Sequence, residues 1–251
     1  MEMLVDKHLY DFELWERELK TMNSDELRER FFLDVQSWTT FEDRAQMSAA
    51  FELAAFLHAD DQYGNDEYTR HTFRVATRLE HYYGVRDVNV LTAAPLHDSV
   101  EDHPKLMELL LPNDLRRENT NASALHFIEQ TFNADVAYLV AGMTNPWFGD
   151  NLSLEEFHAA YQQSVSDKIQ GDPRKAVIKV ADIDDNALGL HHAPSLAFQK
   201  RQVPKYAPIL PVIRQELLTG ALPSVMSSAA VPHLLAKIDA AEVRFAGILS
   251  R

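Results

Sequence analysis

Apolar residues recur along this chain mostly at steps of three and four, the spacing of helices that hide one face. Residues 43–58 place Ala45, Met47, Ala50, Phe51, Ala54, Ala55 and Leu57 on one broad face, which predicts a buried helix. Residues 24–38 predict another, with Ser24 as its N-cap and acidic residues in the first turn. A polar stretch, ADDQYGNDE (59–67), breaks the pattern. Beyond it Phe73, Val75, Ala76 and Leu79 return to near-helical spacing, and Gly84 offers a C-cap. Residues 87–101 form the next apolar segment, with Pro95 as a kink or a boundary. Residues 112–124 and 145–153 read as loops, and 125–143 as two helices that turn at Asn133. A helix over about 154–170 stops at Gly171-Asp172-Pro173-Arg174. Val177-Ile178-Lys179-Val180 alone reads as strand, but Ile178, Ala181, Asp182 and Asp185 keep three- and four-residue steps, so 175–190 is predicted helical. A helix over about 196–218 is interrupted by prolines 204, 208 and 211, and a last amphipathic helix follows the loop 219–232. The expected architecture is all-α, in a single domain spanning residues 1–251.

Composition narrows the chemistry. The 251 residues include no cysteine, which excludes a disulfide scaffold, a thiolate metal site and a cysteine nucleophile. Any metal must use His, Asp, Glu, Asn or water. A formal net charge of −14 argues against nucleic-acid partners and anionic membranes, both of which need a positive footprint. The N-terminal MEMLVDKHLYDFELWERELK interleaves charges with apolar residues and lacks a signal-peptide core. No apolar run approaches the length of a membrane span. A soluble cytoplasmic protein is expected.

The chemistry concentrates in Leu96-His97-Asp98-Ser99-Val100-Glu101-Asp102. On a helix, His97 and Glu101 are four apart, as are Asp98 and Asp102, so the four groups crowd one side. An adjacent His-Asp pair supplies two ligands to one divalent ion, and the Glu-Asp pair adds carboxylates that can orient water or pass a proton. His71 lies upstream on a second helix, and Asp182 and Asn186 sit one turn apart on a third. Taken singly these are ordinary: a lone histidine is usually packed or exposed, and an acidic helix face is usually solvated. Asp182, however, follows an apolar run that buries it, and a buried carboxylate needs a partner. Two His and two Asp suit Mn²⁺, Fe²⁺ or Zn²⁺, and the oxygen-rich balance leans to Mn²⁺. Such an ion lowers the pKa of its water and neutralises an anionic substrate.

The pattern resembles the HD-domain metal-dependent phosphohydrolases and, among them, the hydrolase domain of RelA/SpoT proteins. YTRHTFRVA (68–76) is similar to the family's Tyr-x-x-His-x-x-x-Val-Ala segment, and LTAAPLHDSVED (91–102) to its Ala-Ala-Leu-Leu-His-Asp-x-x-Glu-Asp helix. FNADVAYLVAGMTN (132–145) resembles a segment ending Val-x-Gly-x-Thr-Lys, with Asn145 in place of Lys. DPRKAVIKVADIDDN (172–186) and YAPIL (206–210) match two further segments in the right order, so the likeness covers a core of about 43–215. The resemblance implies that His71, His97, Asp98 and Asp182 hold a metal, usually Mn²⁺, and that Glu101 and Asp102 are the catalytic acidic pair. It makes Asn186 a substrate contact and Lys179 a structural or phosphate-facing residue. The implied reaction removes the 3′-pyrophosphate from ppGpp or pppGpp, a small-molecule nucleotide. The 36 residues after 215 are too few for a synthetase domain.

Departures from the pattern bear on the substrate. Eight and nine residues before its first histidine the family carries a basic pair; here those positions are Tyr63 and Gln62, inside an acidic stretch. Ile183, Asp185, Leu188 and Gly189 replace family Arg, His, basic and hydroxyl residues. Tyr63 is instead suited to stack on a base. Two other readings therefore stay open: an HD nucleotidase acting on another phosphate ester, and a metal-binding HD protein without turnover. Segments 1–40 and 219–251 either pack on the core or form a homo-oligomer contact.

Overall fold

Side-chain caps mark where the helices begin, and they explain why the boundaries fall where they do. Asn23, not Ser24, caps the helix Ser24–Val35 (α1), in a capping box with Glu26. Thr40 and Asp43 form a second box at the head of Phe41–Leu57 (α2). Asp87 caps Val88–Ala93 (α4), Asn119 caps Thr120–Thr131 (α7), and Asn133 caps Ala134–Met143 (α8). Ser153 and Glu156 box the start of Leu154–Ile169 (α9), and Asp172 with Pro173 starts Pro173–Ile183 (α10). The computed structural model describes residues 17–190 and 195–251. Residues 1–16, the first part of the segment 1–40, lie outside the described residues.

The all-α expectation holds, with one small exception. Gln62–Tyr63 (β1) and Asp66–Glu67 (β2) pair antiparallel, Gln62 opposite Glu67 and Tyr63 opposite Asp66. Gly64 takes φ +67 at the first position of the two-residue turn, the arrangement of a hairpin that needs glycine there. The hairpin leads into Tyr68–His81 (α3), a helix buried from His71 through Glu80. At its end Gly84 is required twice: its φ is +64, and an added Cβ would lie 2.8 Å from the Cβ of Ser227.

Pro95 marks a boundary in 87–101, as expected: α4 passes into a 3-10 turn, Ala94–Leu96, that contains it, and a short helix, Ser99–Asp102 (α5), follows. The loop expected over 112–124 ends early, because α7 begins at Thr120, and Pro104–Leu110 (α6) is an unexpected helix that starts on a proline. Helix 175–190 is confirmed over strand, but it loosens into a π-turn over Asp184–Leu188.

Leu196–Tyr206 (α11) contains Pro204, Pro208 lies in the 3-10 turn that follows, Leu210–Thr219 (α12) has Pro211 in its first turn, and Ala230–Leu249 (α13) ends the fold. Buried residues from Leu19 to Ile248 form one hydrophobic cluster. The described part of segment 1–40 and the segment 219–251 join it: α1 packs on α3, and α13 packs on α11 and α12. No helix among the described residues is long and apolar enough to cross a membrane. The helices α3 and α10 are in contact at the centre, so the residues they carry inward share one buried locus.

Candidate metal centre

His71 projects from the second turn of α3. Its Nδ1 lies 2.8 Å from Asp185 Oδ2, and a carboxylate accepts only, so Nδ1 carries the proton. Its Nε2 then faces Asp182 Oδ1 at 3.4 Å and Asp98 Oδ2 at 3.8 Å. His97 ends the 3-10 turn and donates Nδ1–H to the Ala94 carbonyl at 2.8 Å. Its Nε2 lies 2.9 Å from Asp98 Oδ2 and 3.7 Å from Asp182 Oδ1. That nitrogen is buried and makes no hydrogen bond with any described residue, despite its short distance to Asp98. Both imidazoles are thus anchored through Nδ1 and turn Nε2 toward the same pair of carboxylates. Fixing one ring nitrogen to orient the other is how proteins prepare histidine for a metal. His71, His97 and Asp182 offer ligand atoms within 4.8 Å of one another. The donor set therefore fits a divalent cation.

Around these four the wiring continues. Tyr68 donates its hydroxyl to Asp98 Oδ2 at 2.7 Å. Lys179 donates to Asp182 Oδ2 at 2.7 Å, and Asn186 Nδ2 to Asp182 Oδ1 at 2.5 Å. Tyr63 donates to Asn186 Oδ1 at 2.6 Å and lays its ring on His71, with centroids 4.5 Å apart and planes 5° from parallel. The hairpin thus spends one face of Tyr63 on His71. Asp185 accepts from Arg74 through both oxygens, at 2.9 and 2.8 Å, and from Arg78 at 3.2 Å. The π-turn is what carries Asp184, Asp185 and Asn186 past regular helical spacing to these partners.

The electrostatics agree with an anion-rich centre. Burial disfavours the His71 cation, yet hydrogen bonds to Asp182 and Asp185 raise its pKa to about 9. Burial opposes charge on Asp182 and Asp98 as well, but Lys179 and the two imidazoles hold Asp182 well below the carboxylate range, and His97 does the same for Asp98. The field that draws protons onto the imidazoles is the field that attracts a divalent cation, which competes with those protons for Nε2.

Asp98 is the N-cap of α5, its carbonyl accepting from the N–H groups of Glu101 and Asp102 at 3.0 and 2.9 Å, so Asp98 and Asp102 stand one turn apart, while His97 closes the preceding 3-10 turn. Glu101 is exposed, and its carboxylate accepts from the backbone N–H and the side-chain amide of Asn145, both at 3.0 Å. Asn145 is held in turn by Lys168, whose ammonium donates to Asn145 Oδ1 at 2.7 Å and is brought down to about 8 by burial and Lys179. Asp102 has its pKa raised to about 6 by partial desolvation and by the Asp98 and Glu101 carboxylates. Spacing alone did not reveal Tyr68, Asp185 or Asn145, although Tyr68 and Asp185 each stand three residues from a ligand-type residue.

No protein-family model matches the chain. Among curated proteins, the guanosine-3′,5′-bis(diphosphate) 3′-pyrophosphohydrolase MESH1 of Mus musculus is 28% identical over 167 residues, spanning 65% of this chain and 80% of that protein. Among solved structures, one described as a metazoan ortholog of SpoT that hydrolyses ppGpp and plays a role in starvation responses superposes with a TM-score of 0.57. It is 20% identical and covers 82% of this chain and 97% of its own, a likeness of fold. The chain is therefore similar to HD-domain hydrolases of this type in sequence and in helical architecture.

Proposed function

We propose that this chain is a metal-dependent HD-domain phosphohydrolase that removes the 3′-pyrophosphate from ppGpp or pppGpp, with Mn²⁺ as its ion. One observation carries the reading: His71 and His97, tied down through Nδ1, aim Nε2 at Asp98 and Asp182, and the His97 nitrogen makes no hydrogen bond with any described residue. Those four residues would hold the ion, which supplies positive charge against phosphate and lowers the pKa of water. The chain's own groups do the rest. Glu101, fixed by two donors from Asn145, is an acceptor positioned for the attacking water's proton. Asp102, whose proton affinity is raised by partial desolvation and the Asp98 and Glu101 carboxylates, is the group we assign to return a proton to the departing 3′-oxygen. Asn186 and Lys179 brace Asp182 beside the substrate, and Tyr63 holds His71 flat.

The altered hairpin favours one second reading, a different phosphate ester, because Gln62 and Tyr63 bring no cation to the site. Incubating Mn²⁺-loaded protein with ppGpp and a nucleotide panel, with products resolved by chromatography, separates the cases. GDP plus pyrophosphate is expected. Orthophosphate released from a nucleoside monophosphate instead would establish the second reading, and absence of turnover by metal-loaded protein would leave a binding protein.

A further inference from the structure

A nucleoside polyphosphate brings several negative charges to a centre already rich in carboxylates, and the hairpin offers none of the cations that would receive them. The opposite wall does. There α9 and α11 meet, with Gln162 Nε2 donating to the Pro204 carbonyl at 2.8 Å and Tyr161 and Tyr206 edge to face, 6.2 Å between centroids. The junction stands beside the centre, because α9 packs on α10, the helix of Asp182, and Ser164 and Lys168 of α9 donate to Asn145, the partner of Glu101. Between the rings lies Lys205, its Nζ 4.1 Å from the centroid of Tyr161 and 5.0 Å from that of Tyr206.

The other ammonium groups around the centre are spent. Lys179 is bonded to Asp182, and Lys168 to Asn145 and the Met143 carbonyl. Lys205 is half-buried, and its ammonium makes no hydrogen bond or ion pair with any described residue. Burial and the Lys179 ammonium disfavour its charge, and Asp182, Glu101 and Asp98 compensate only in part, so its affinity for a proton is lowered. Two aromatic faces support the cation without satisfying its three donors. A partly desolvated ammonium with open donors, close to a phosphate-processing centre, is a group that lacks an anion.

We propose that Lys205 is the phosphate-binding cation of this site, taking from α11 the role that positions 62 and 63 do not fill, and that its ligand is the phosphate chain of a nucleoside polyphosphate. This rests on the functional reading above. Tyr161 and Tyr206 are positioning residues that hold the ammonium toward the centre.

The test uses Lys205→Met, which keeps the apolar stem, Lys205→Gln as a second neutral variant should Met misfold, and Lys205→Arg, which restores charge. In the Mn²⁺-loaded protein either neutral variant is expected to raise KM for ppGpp about ten- to hundredfold, the worth of one charge-assisted hydrogen bond. Turnover should stay within about threefold, because the contact is uniform binding. Calorimetric affinity for inorganic pyrophosphate should fall in parallel, Lys205→Arg should recover most of it, and exposed Arg201→Gln should change neither. Unchanged KM and unchanged pyrophosphate affinity in a folded neutral variant overturn the proposal. Lys205-dependent pyrophosphate binding in a protein that leaves ppGpp intact would uphold Lys205 and retire the substrate reading alone.

Discussion

Two histidine–carboxylate clusters stand side by side in this molecule, linked by Tyr68, and they wire their nitrogens in opposite ways. Tyr68 stacks on His58, ring centroids 4.6 Å apart, and donates its hydroxyl to Asp98. In the first cluster His58 Nδ1 and His103 Nε2 both reach Asp61 Oδ2, at 2.7 and 2.6 Å. A carboxylate accepts only, so both bonded nitrogens carry protons and are spent within the cluster. In the second, His71 and His97 give Nδ1 to partners outside the cluster and turn Nε2 inward, where His97 makes no hydrogen bond with a described residue. Each cluster brings its ligand-type atoms within 4.8 Å. Proximity therefore does not separate a hydrogen-bonded set from a ligand set; whether the bonded ring nitrogens face the cluster's own carboxylate or a partner outside it does.

The sharpest way to break the comparison is to remove a ligand from the second cluster. Asp98→Ala should lose the bound metal, measured as ion content per chain, and ppGpp hydrolysis should fall on the order of a thousandfold or more. Full activity in that variant would remove the proposed centre altogether.

Next in size is the outer wiring. Asp185→Ala strips the acceptor from buried Arg74 and Arg78 and from His71 Nδ1 at once. Breaking a buried ion pair from one side costs about 3–5 kcal/mol, which urea unfolding should register. Loss of the orienting carboxylate should weaken metal binding about ten- to hundredfold. If metal titration shows no weakening, histidine orientation is not what distinguishes the clusters.

These cases show what the chain discloses before it folds. Ligands must be His and Asp, and helices advertise themselves by apolar steps and caps, so His71, His97, Asp98 and Asp182 could be singled out and are found together. Wiring leaves a weaker trace. Pro95 signals a break, but not that a 3-10 turn would end at His97 and a new short helix start with Asp98 as its N-cap. Tyr63-Gly64-Asn65-Asp66 carries a turn signal, yet strands of two residues are too short for any periodicity and read as a polar loop. Asp185 is visible as one more helical acid, while its bonds depend on the π-turn and on α3, over a hundred residues away. The apposition of Lys205 and Tyr161 arises from packing of α9 on α11, which no local pattern encodes.

A smaller effect concerns charge. The Asp102 pKa of about 6 lies above its unfolded value, so the folded state binds the extra proton between about pH 4 and 6. Stability from this group is therefore greatest at the acid end of that window and declines as pH rises through it. Carboxyl NMR of chelator-treated protein should show Asp102 titrating near pH 6, and loading with diamagnetic Mg²⁺ or Zn²⁺ should lower that value, because a cation favours the carboxylate. No response to the ion would place the cation away from Asp98, whose charge is among the causes of the shift.

The least disruptive change tests the first cluster on its own terms. Asp61→Asn keeps an oxygen that can still accept from one imidazole, while the other loses its acceptor and the charge assistance disappears. The expected cost is about 1–2 kcal/mol of stability, typical of one weakened hydrogen bond near the surface. Metal content should stay where it is in the unaltered protein, since His58 and His103 spend their bonded nitrogens on protons rather than on an ion. His58 retains a buried Nε2 with no bond to a described residue, which is the feature that gives the experiment its edge. If Asp61→Asn sheds an equivalent of metal, that nitrogen belongs to a second ion site and the two clusters are alike. If metal content holds and only stability moves, the cluster is a clasp that packs His58 against Tyr68 and thereby steadies the hydroxyl on Asp98.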